Sequence, residues 1–182
     1  MKRGRVNWSV TNIKCRFQVL VDDRKKFFRY IANRVEDFLL KDVSNILTYR
    51  APLCTYVIFS SGHINVCGVR SLKKARRSIE NFCSKFPKYS TVIRKCTIDN
   101  ISISGRLGYN LLESFQSFAE RLCLLTDGLP FFDPLKFPAI NIRTRRGTIV
   151  LFQTGAINIM GLKSKQDMLY FVRLISSKSA RC

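Results

Sequence analysis

A pseudo-twofold α+β domain, made of two copies of one strand–helix–strands–helix unit, is the fold class this sequence predicts. Three observations predict it. Residues 62–71 read Gly-His-Ile-Asn-Val-Cys-Gly-Val-Arg-Ser, and residues 155–164 read Gly-Ala-Ile-Asn-Ile-Met-Gly-Leu-Lys-Ser. Each copy follows a β-rich run ending in Phe, Tyr56-Val57-Ile58-Phe59 or Ile149-Val150-Leu151-Phe152. Each copy also precedes a segment with helical apolar spacing. Two copies are too few for a solenoid, so the halves share one fold.

The elements follow in chain order. Val10-Thr11-Asn12-Ile13 opens an alternating strand and corresponds to Ile98-Asp99-Asn100-Ile101 in the second half. Asp22-Asp23 starts a helix, where acidic side chains suit the dipole. After the first motif, Leu72, Ala75, Ile79 and Phe82 share one helix face, with Lys73, Lys74, Arg76 and Arg77 mostly off it. After the second, Met168, Phe171, Val172 and Ile175 form the equivalent face. Pro87 interrupts the helical pattern, so 85–90 reads as a linker. The expected organisation is a first repeat over 1–90, with a basic tail at 1–5, and a second over 91–178.

Composition bounds the function. The chain has 182 residues, 46% of them hydrophobic, enough for one core shared by two halves. Lys and Arg number 32 against 12 acidic residues, a formal charge of +20. That excess favours polyanions, with nucleic acid the leading expectation and an ordinary basic surface the alternative. No apolar run approaches the roughly 20 residues of a membrane span, and the basic N-terminus lacks a signal peptide's apolar stretch. Cysteines 15, 54, 67, 83, 96, 123 and 182 include no CxxC pair. Reduced thiols in a reducing, intracellular compartment are therefore expected, with no zinc site.

Alternation assigns the faces. Ile64 and Val66 point one way, His63, Asn65 and Cys67 the other. Ile157 and Ile159 likewise oppose Ala156, Asn158 and Met160. In the opening strands Ile13, Cys15 and Phe17 oppose Asn12, Lys14 and Arg16, while Ile101 and Ile103 oppose Asn100, Ser102 and Ser104. The aliphatic face should meet the helices. The other should stay open, carrying Asn, Ser and small apolar residues, with Val57, Phe59, Val150 and Phe152 running into it. Such a face suits a duplex minor groove. An Asn amide donates to A N3 and T O2, and Phe rings wedge between base steps.

These residues resemble the TATA-binding protein family. Its Phe-Ser-Ser-Gly-Lys signature is matched by Phe59-Ser60-Ser61-Gly62 through Gly68-Val69-Arg70, and again by Phe152-Gln153-Thr154-Gly155 through Gly161-Leu162-Lys163. Asp133-Pro134-Leu135-Lys136-Phe137-Pro138-Ala139 is similar to the family's stirrup. The resemblance spans roughly residues 6 to 176, and the Ile-Asn-Ile-x-Gly variant is similar to divergent members in large DNA viruses. It implies a saddle: a curved antiparallel sheet, concave side to DNA, with helices on the convex face.

Phe59, Phe137 and Phe152 match three of the family's four wedge positions; the fourth falls on Asp42, with Leu39 and Leu40 as neighbours. Asn12 and Asn100 match the paired central asparagines. Asn65 and Asn158 stand where the family has Val, and so do Lys14 and Ser102. Cys67 and Met160 replace Thr. Arg70, Arg143 and Lys163 match basic positions near phosphates. Val57, Ser61, Val150 and Thr154 complete the DNA-contacting set that the resemblance implies.

The implied function is a sequence-preferring transcription initiation factor that binds and bends promoter DNA through the minor groove and helps position RNA polymerase. The implied partners are AT-rich double-stranded promoter DNA, a general transcription factor or polymerase subunits, and a second copy of the chain when DNA is absent. The implied location is the nucleus or a viral transcription site. The alternative is a basic nucleic-acid-binding or protein-interaction module that keeps the saddle without TATA specificity. Neither reading calls for a cofactor. An enzyme is not expected, because His63 is the only histidine and no phosphate loop or nucleophile elbow appears. A Cys54 or Cys67 nucleophile beside His63 has no counterpart in the duplicated strand, which carries Ala156 and Met160.

Overall fold

The computed structural model describes residues 6–34, 38–39, 45–89, 91–108, 111 and 115–179. The first half runs β1 (Ser9–Leu20), α1 (Arg24–Arg34), β2 (Phe38–Leu39), β3 (Ile46–Ala51), β4 (Cys54–Phe59), β5 (His63–Val69) and α2 (Leu72–Ser84). The second runs β6 (Val92–Arg106), α3 (Phe115–Thr126), β7 (Leu129–Phe131), β8 (Ala139–Arg143), β9 (Thr148–Phe152), β10 (Ala156–Leu162) and α4 (Lys165–Ser179). The same order of elements thus occurs twice, as the repeat predicts.

By compactness the chain divides into two units, Asn12–Asp99 and Met1–Thr11 with Asn100–Cys182. The division runs through β1 and β6 rather than through the linker near residue 90. The reason is local. Ser9 Oγ and Ser104 Oγ are 3.0 Å apart, and Thr11 Oγ1 donates to the Ser102 carbonyl at 3.1 Å. The first three residues of β1 therefore belong with the second half of the sequence.

In the 12–99 unit the strand order is β2-β3-β4-β5-β1, with residues 92–99 of β6 beside β1. Cys15, Phe17, Ile58, Ile64 and Val66 are buried on one face, as the alternation requires. Onto this face α2 places Ala75, Ile79, Phe82 and Cys83. The Tyr56 ring stacks on Phe82 at 4.7 Å, and its hydroxyl donates to the Ser78 carbonyl. Leu72, expected on the buried face, is instead 45% exposed. It is the first helical residue, beside the N-cap Ser71, and lies outside the packed turns. Asp23 caps α1, accepting from the Lys26 N–H at 3.0 Å, which holds its carboxyl below the usual range. After α2, Phe86 is buried and meets Phe82 and Phe27 edge-on at 5.2 and 6.0 Å. The expected linker is thus fastened to this core.

In the other unit the order is residues 9–11 of β1, then β6-β10-β9-β8-β7. Ile101, Ile103, Ile142, Ile149, Leu151, Ile157 and Ile159 form the sheet side of the core. Phe118 and Leu122 of α3, with Phe171 and Ile175 of α4, close it. Met168 and Val172, expected beside Phe171, are half-buried. Trp8 lies against β6, where a Cβ on Gly105 would come within 2.6 Å of its ring.

The residues identical between the two motifs do structural work. Ser71 and Ser164 accept from the N–H groups of Lys74 and Asp167, capping α2 and α4. Gly68 and Gly161 carry φ of +89° and +83° at matching bulges. Ile13 and Cys15 of β1 pair with Val69 and Val66, so β5 has one residue more there. β10 has the same excess opposite Ile103 and Ile101. A side chain at positive φ is strained. At Gly68 an added Cβ meets nothing nearer than 3.9 Å, so the backbone term is isolated. Gly68→Ala should therefore cost about 1–2 kcal/mol of stability, read by urea unfolding. An unchanged midpoint would refute the left-handed backbone there.

Candidate nucleic-acid interface

Each bulge is tied to the asparagine that opens its half. Asn12 Oδ1 accepts from the Gly68 N–H at 2.9 Å, and Asn100 Oδ1 accepts from the Gly161 N–H at 2.7 Å. A backbone N–H can only donate, so each amide's orientation is fixed: oxygen to the bulge, nitrogen the other way. Asn100 Nδ2 donates to Ser102 Oγ at 3.0 Å, leaving one amide hydrogen for another acceptor. The two asparagines thus hold equivalent places in their units.

In the 12–99 unit, Val57 lies between Thr48 and Asn65 in register. Phe59 at the end of β4 is half-buried. Lys14, Arg16, Phe59, Ser61, His63, Asn65 and Asp99 line a cavity of about 340 Å³ on the face opposite the helices. Four of these, Lys14, Phe59, Ser61 and Asn65, are predicted site residues brought together; Arg16, His63 and Asp99 were not in the predicted set. Arg16 Nη2 donates to Asp99 Oδ1 at 2.6 Å, and Lys14 Nζ is 3.9 Å from Asp99 Oδ2. The carboxylate raises the guanidinium pKa of Arg16. Ser61 Oγ is 3.2 Å from His63 Nδ1.

Asn65 departs from the expected open position: it is 6% exposed, and its Oδ1 is buried with no hydrogen-bond partner. An unpaired buried acceptor costs about 1–3 kcal/mol. Cys67 is half-buried, and burial raises its thiol pKa against the smaller opposing pull of Lys14. A thiol held protonated is a poor nucleophile. Arg70 is exposed just after β5. Asp42 and Leu40 lie outside the described residues, as does the side chain of Leu39.

In the unit holding 100–182, Phe137 and Phe152 meet edge-to-face, centroids 5.8 Å apart at 67°. Phe137 is 44% exposed and Phe152 half-buried. Asn141 and Asn158 flank Val150 in register. Val150 itself is 5% exposed; its place on a strand paired along both edges leaves little surface to offer. Thr154, Met160 and Lys163 are exposed and Asn158 half-buried. Arg143, also exposed, ends β8 opposite Thr148. Arg146, by contrast, is 3.1 Å from Asp167 and lies over the Tyr170 ring at 4.8 Å.

Among the described residues no group of His, Cys, Asp and Glu is placed to hold a metal. Six cysteines are free there, and no helix is long and apolar enough to cross a membrane.

No family model matches the chain. Curated relatives do. The TATA-box-binding protein of Thermococcus celer is 26% identical over 176 residues, covering 90% of this chain and 89% of that protein. That of Pyrococcus horikoshii is 24% identical over 177 residues, covering 90% and 88%. Among solved structures, the Methanococcus jannaschii TBP aligns with a TM-score of 0.76 at 19% identity, covering 97% of this chain and 99% of that one. That last likeness is one of fold, and it agrees with the α+β class that the repeat predicts. The relatives and the shared fold support the TATA-binding protein family.

Proposed function

Proceeding from that family, we propose that the chain is a sequence-preferring, double-stranded DNA-binding transcription initiation factor. In this reading it binds and bends promoter DNA through the minor groove and helps position RNA polymerase inside the cell. One observation carries the reading, the duplicated asparagine–bulge pair. Because Asn12 and Asn100 direct Oδ1 at Gly68 and Gly161, each presents an amide donor on a short, rigid stem. The minor-groove floor of an A·T pair offers only acceptors, A N3 and T O2, to meet such a donor. Lys14, Val57, Phe59, Ser61, Asn65 and Cys67 then serve one half of the site. Ser102, Phe137, Val150, Phe152, Thr154, Asn158 and Met160 serve the other, while Arg70, Arg143 and Lys163 hold phosphates.

A protein partner of the initiation machinery is supported by apolar surface in the unit holding 100–182. Leu124, Leu129, Phe131 and Leu135 are 82%, 75%, 63% and 97% exposed. They lie on α3, β7 and the 133–139 turn, where a cavity of about 510 Å³ is lined by Phe115, Ala119, Pro130 and Phe132. Apolar surface of this kind marks protein contact.

The test is competition. A ligand that fills the A·T minor groove should displace the protein from a duplex, while methylation in the major groove should leave binding intact. The reverse pattern refutes the reading. A module holding nucleic acid through phosphates alone would ignore both and bind RNA equally well.

A further inference from the structure

On the open face of the 12–99 unit, β1 carries bases where the repeat is neutral. The positions matched to Lys14 and Arg16 are Ser102 and Ser104. Both bases face Asp99. Arg16 donates to its Oδ1 twice, from Nη2 at 2.6 Å and from Nε at 3.3 Å, while Lys14 Nζ lies 3.9 Å from Oδ2. The carboxylate is thereby engaged and covered. Its side chain is 16% exposed, against 50% for Arg16 and 40% for Lys14. What this cluster offers outward is therefore cationic. A guanidinium holds five N–H donors in a planar fork, and Asp99 takes two of them, so three remain for a ligand. Arg16 shares one cavity with Phe59 and Asn65, and a second, of about 310 Å³, with Gln18, Lys95 and Thr97.

Two parts of a duplex suit such a group, a backbone phosphate and the electronegative floor of a narrow minor groove. Position favours the floor. Arg16 lies four residues along β1 from Asn12, on the same open face, and its cavity includes the Phe59 ring. A floor of A·T pairs offers only acceptors, A N3 and T O2, and a narrow A·T groove concentrates negative potential that draws Arg into it. A guanidinium sheds water more readily than an ammonium, which selects Arg16 over Lys14. An unheld Arg loses rotamer freedom on binding, whereas one already held by Asp99 lost it in folding. We propose that Arg16 is a specificity residue that enters the minor groove of A·T pairs, with Asp99 as the positioning residue that holds its fork. The second repeat, with Ser104 at the matched position, lacks the subsite. The inference rests on the minor-groove reading above and adds to it a base preference under the first repeat.

The experiment uses the full chain and an A·T duplex in which adenine is replaced by diaminopurine, one step at a time. That base adds an amine on the minor-groove edge and leaves the major-groove edge as it was. The amine should weaken binding, and at one step under the first repeat the loss should depend on Arg16. The loss there should be about tenfold, the scale of one hydrogen bond to a charged group. Arg16→Ala should lose about as much affinity for the A·T duplex and become indifferent to the amine at that step alone. Arg16→Lys, which keeps the charge without the fork, should recover part of the affinity and little of the discrimination. Asp99→Ala separates bracing from charge. Bracing predicts weaker discrimination at the same step, whereas charge alone predicts tighter binding to every duplex. Thermal melts establish that each variant is folded, and the scan of the unmodified chain needs no variant. An Arg16→Ala loss equal on all duplexes makes Arg16 a phosphate holder and overturns the subsite. Amine penalties that survive Arg16→Ala at every step overturn the subsite alone. Tighter binding by Asp99→Ala overturns the brace. A scan with no penalty at any step, or no binding to any duplex, overturns the minor-groove reading with it.

Discussion

Replacing Phe152 with Ala is expected to lower affinity for a bent duplex roughly 10–100-fold, about 1.4–2.8 kcal/mol, and to reduce the bend itself. The ring stands edge-on to Phe137 at 5.8 Å, and Phe137 keeps 44% of its surface exposed. Two rings braced in this way can enter a base step without first ordering a mobile side chain. Each insertion must offset a few kcal/mol of unstacking through the contact area that bending gains. Among the described residues no second ring lies against Phe59, and its fourth-wedge counterpart in sequence is Asp42. The bend should therefore be asymmetric, sharper under the second repeat, with Asp42→Ala changing it little. End-to-end energy transfer on a labelled duplex, run beside a thermal melt, decides the matter. If these rings were ordinary sheet packing, the Ala variant would melt earlier yet bend DNA normally while folded. An equal kink at both ends of the unmodified complex would refute the asymmetry.

The fold was legible because its physics is periodic. Alternation placed Ile13, Cys15 and Phe17 inside and Asn12, Lys14 and Arg16 outside, and burial in the structure follows it. The repeated Gly and Ser residues marked bulges and helix caps, features that depend on a single residue's backbone or side-chain oxygen. The site was less legible because its cluster is made by pairing across the sheet. Arg16 and Asp99 are 83 positions apart, and β6 shows no clean alternation before residue 100. Counting by twos from Ile101 would send Asp99 to the core face, but it lines the open cavity. Asn65 has the right parity and is still buried, because alternation gives direction and not depth. The signal that could have found the cluster was chemical. Asp99 is an acid where the repeat has Thr11, and Lys14 and Arg16 are bases where it has Ser102 and Ser104.

Salt should have the largest effect of all. With a net charge of +20, the chain gains affinity by releasing counterions from the duplex, at a slope of about −0.9 per phosphate neutralised. Six such contacts would lower the affinity about a thousandfold between roughly 50 and 200 mM monovalent salt. Arg143→Ala or Lys163→Ala should each flatten the slope by about 0.9 and weaken every duplex alike, because phosphates carry no sequence. Arg146 supplies the control. Its guanidinium is engaged by Asp167 at 3.1 Å and lies over the Tyr170 ring, so Arg146→Ala should leave the slope unchanged. Affinity titrations across a salt series, on a preferred duplex and a scrambled one, separate the cases. A loss confined to the preferred duplex would move Arg143 or Lys163 from phosphate holding to base reading. A slope near zero in the unmodified chain would mean that the excess charge faces something other than DNA.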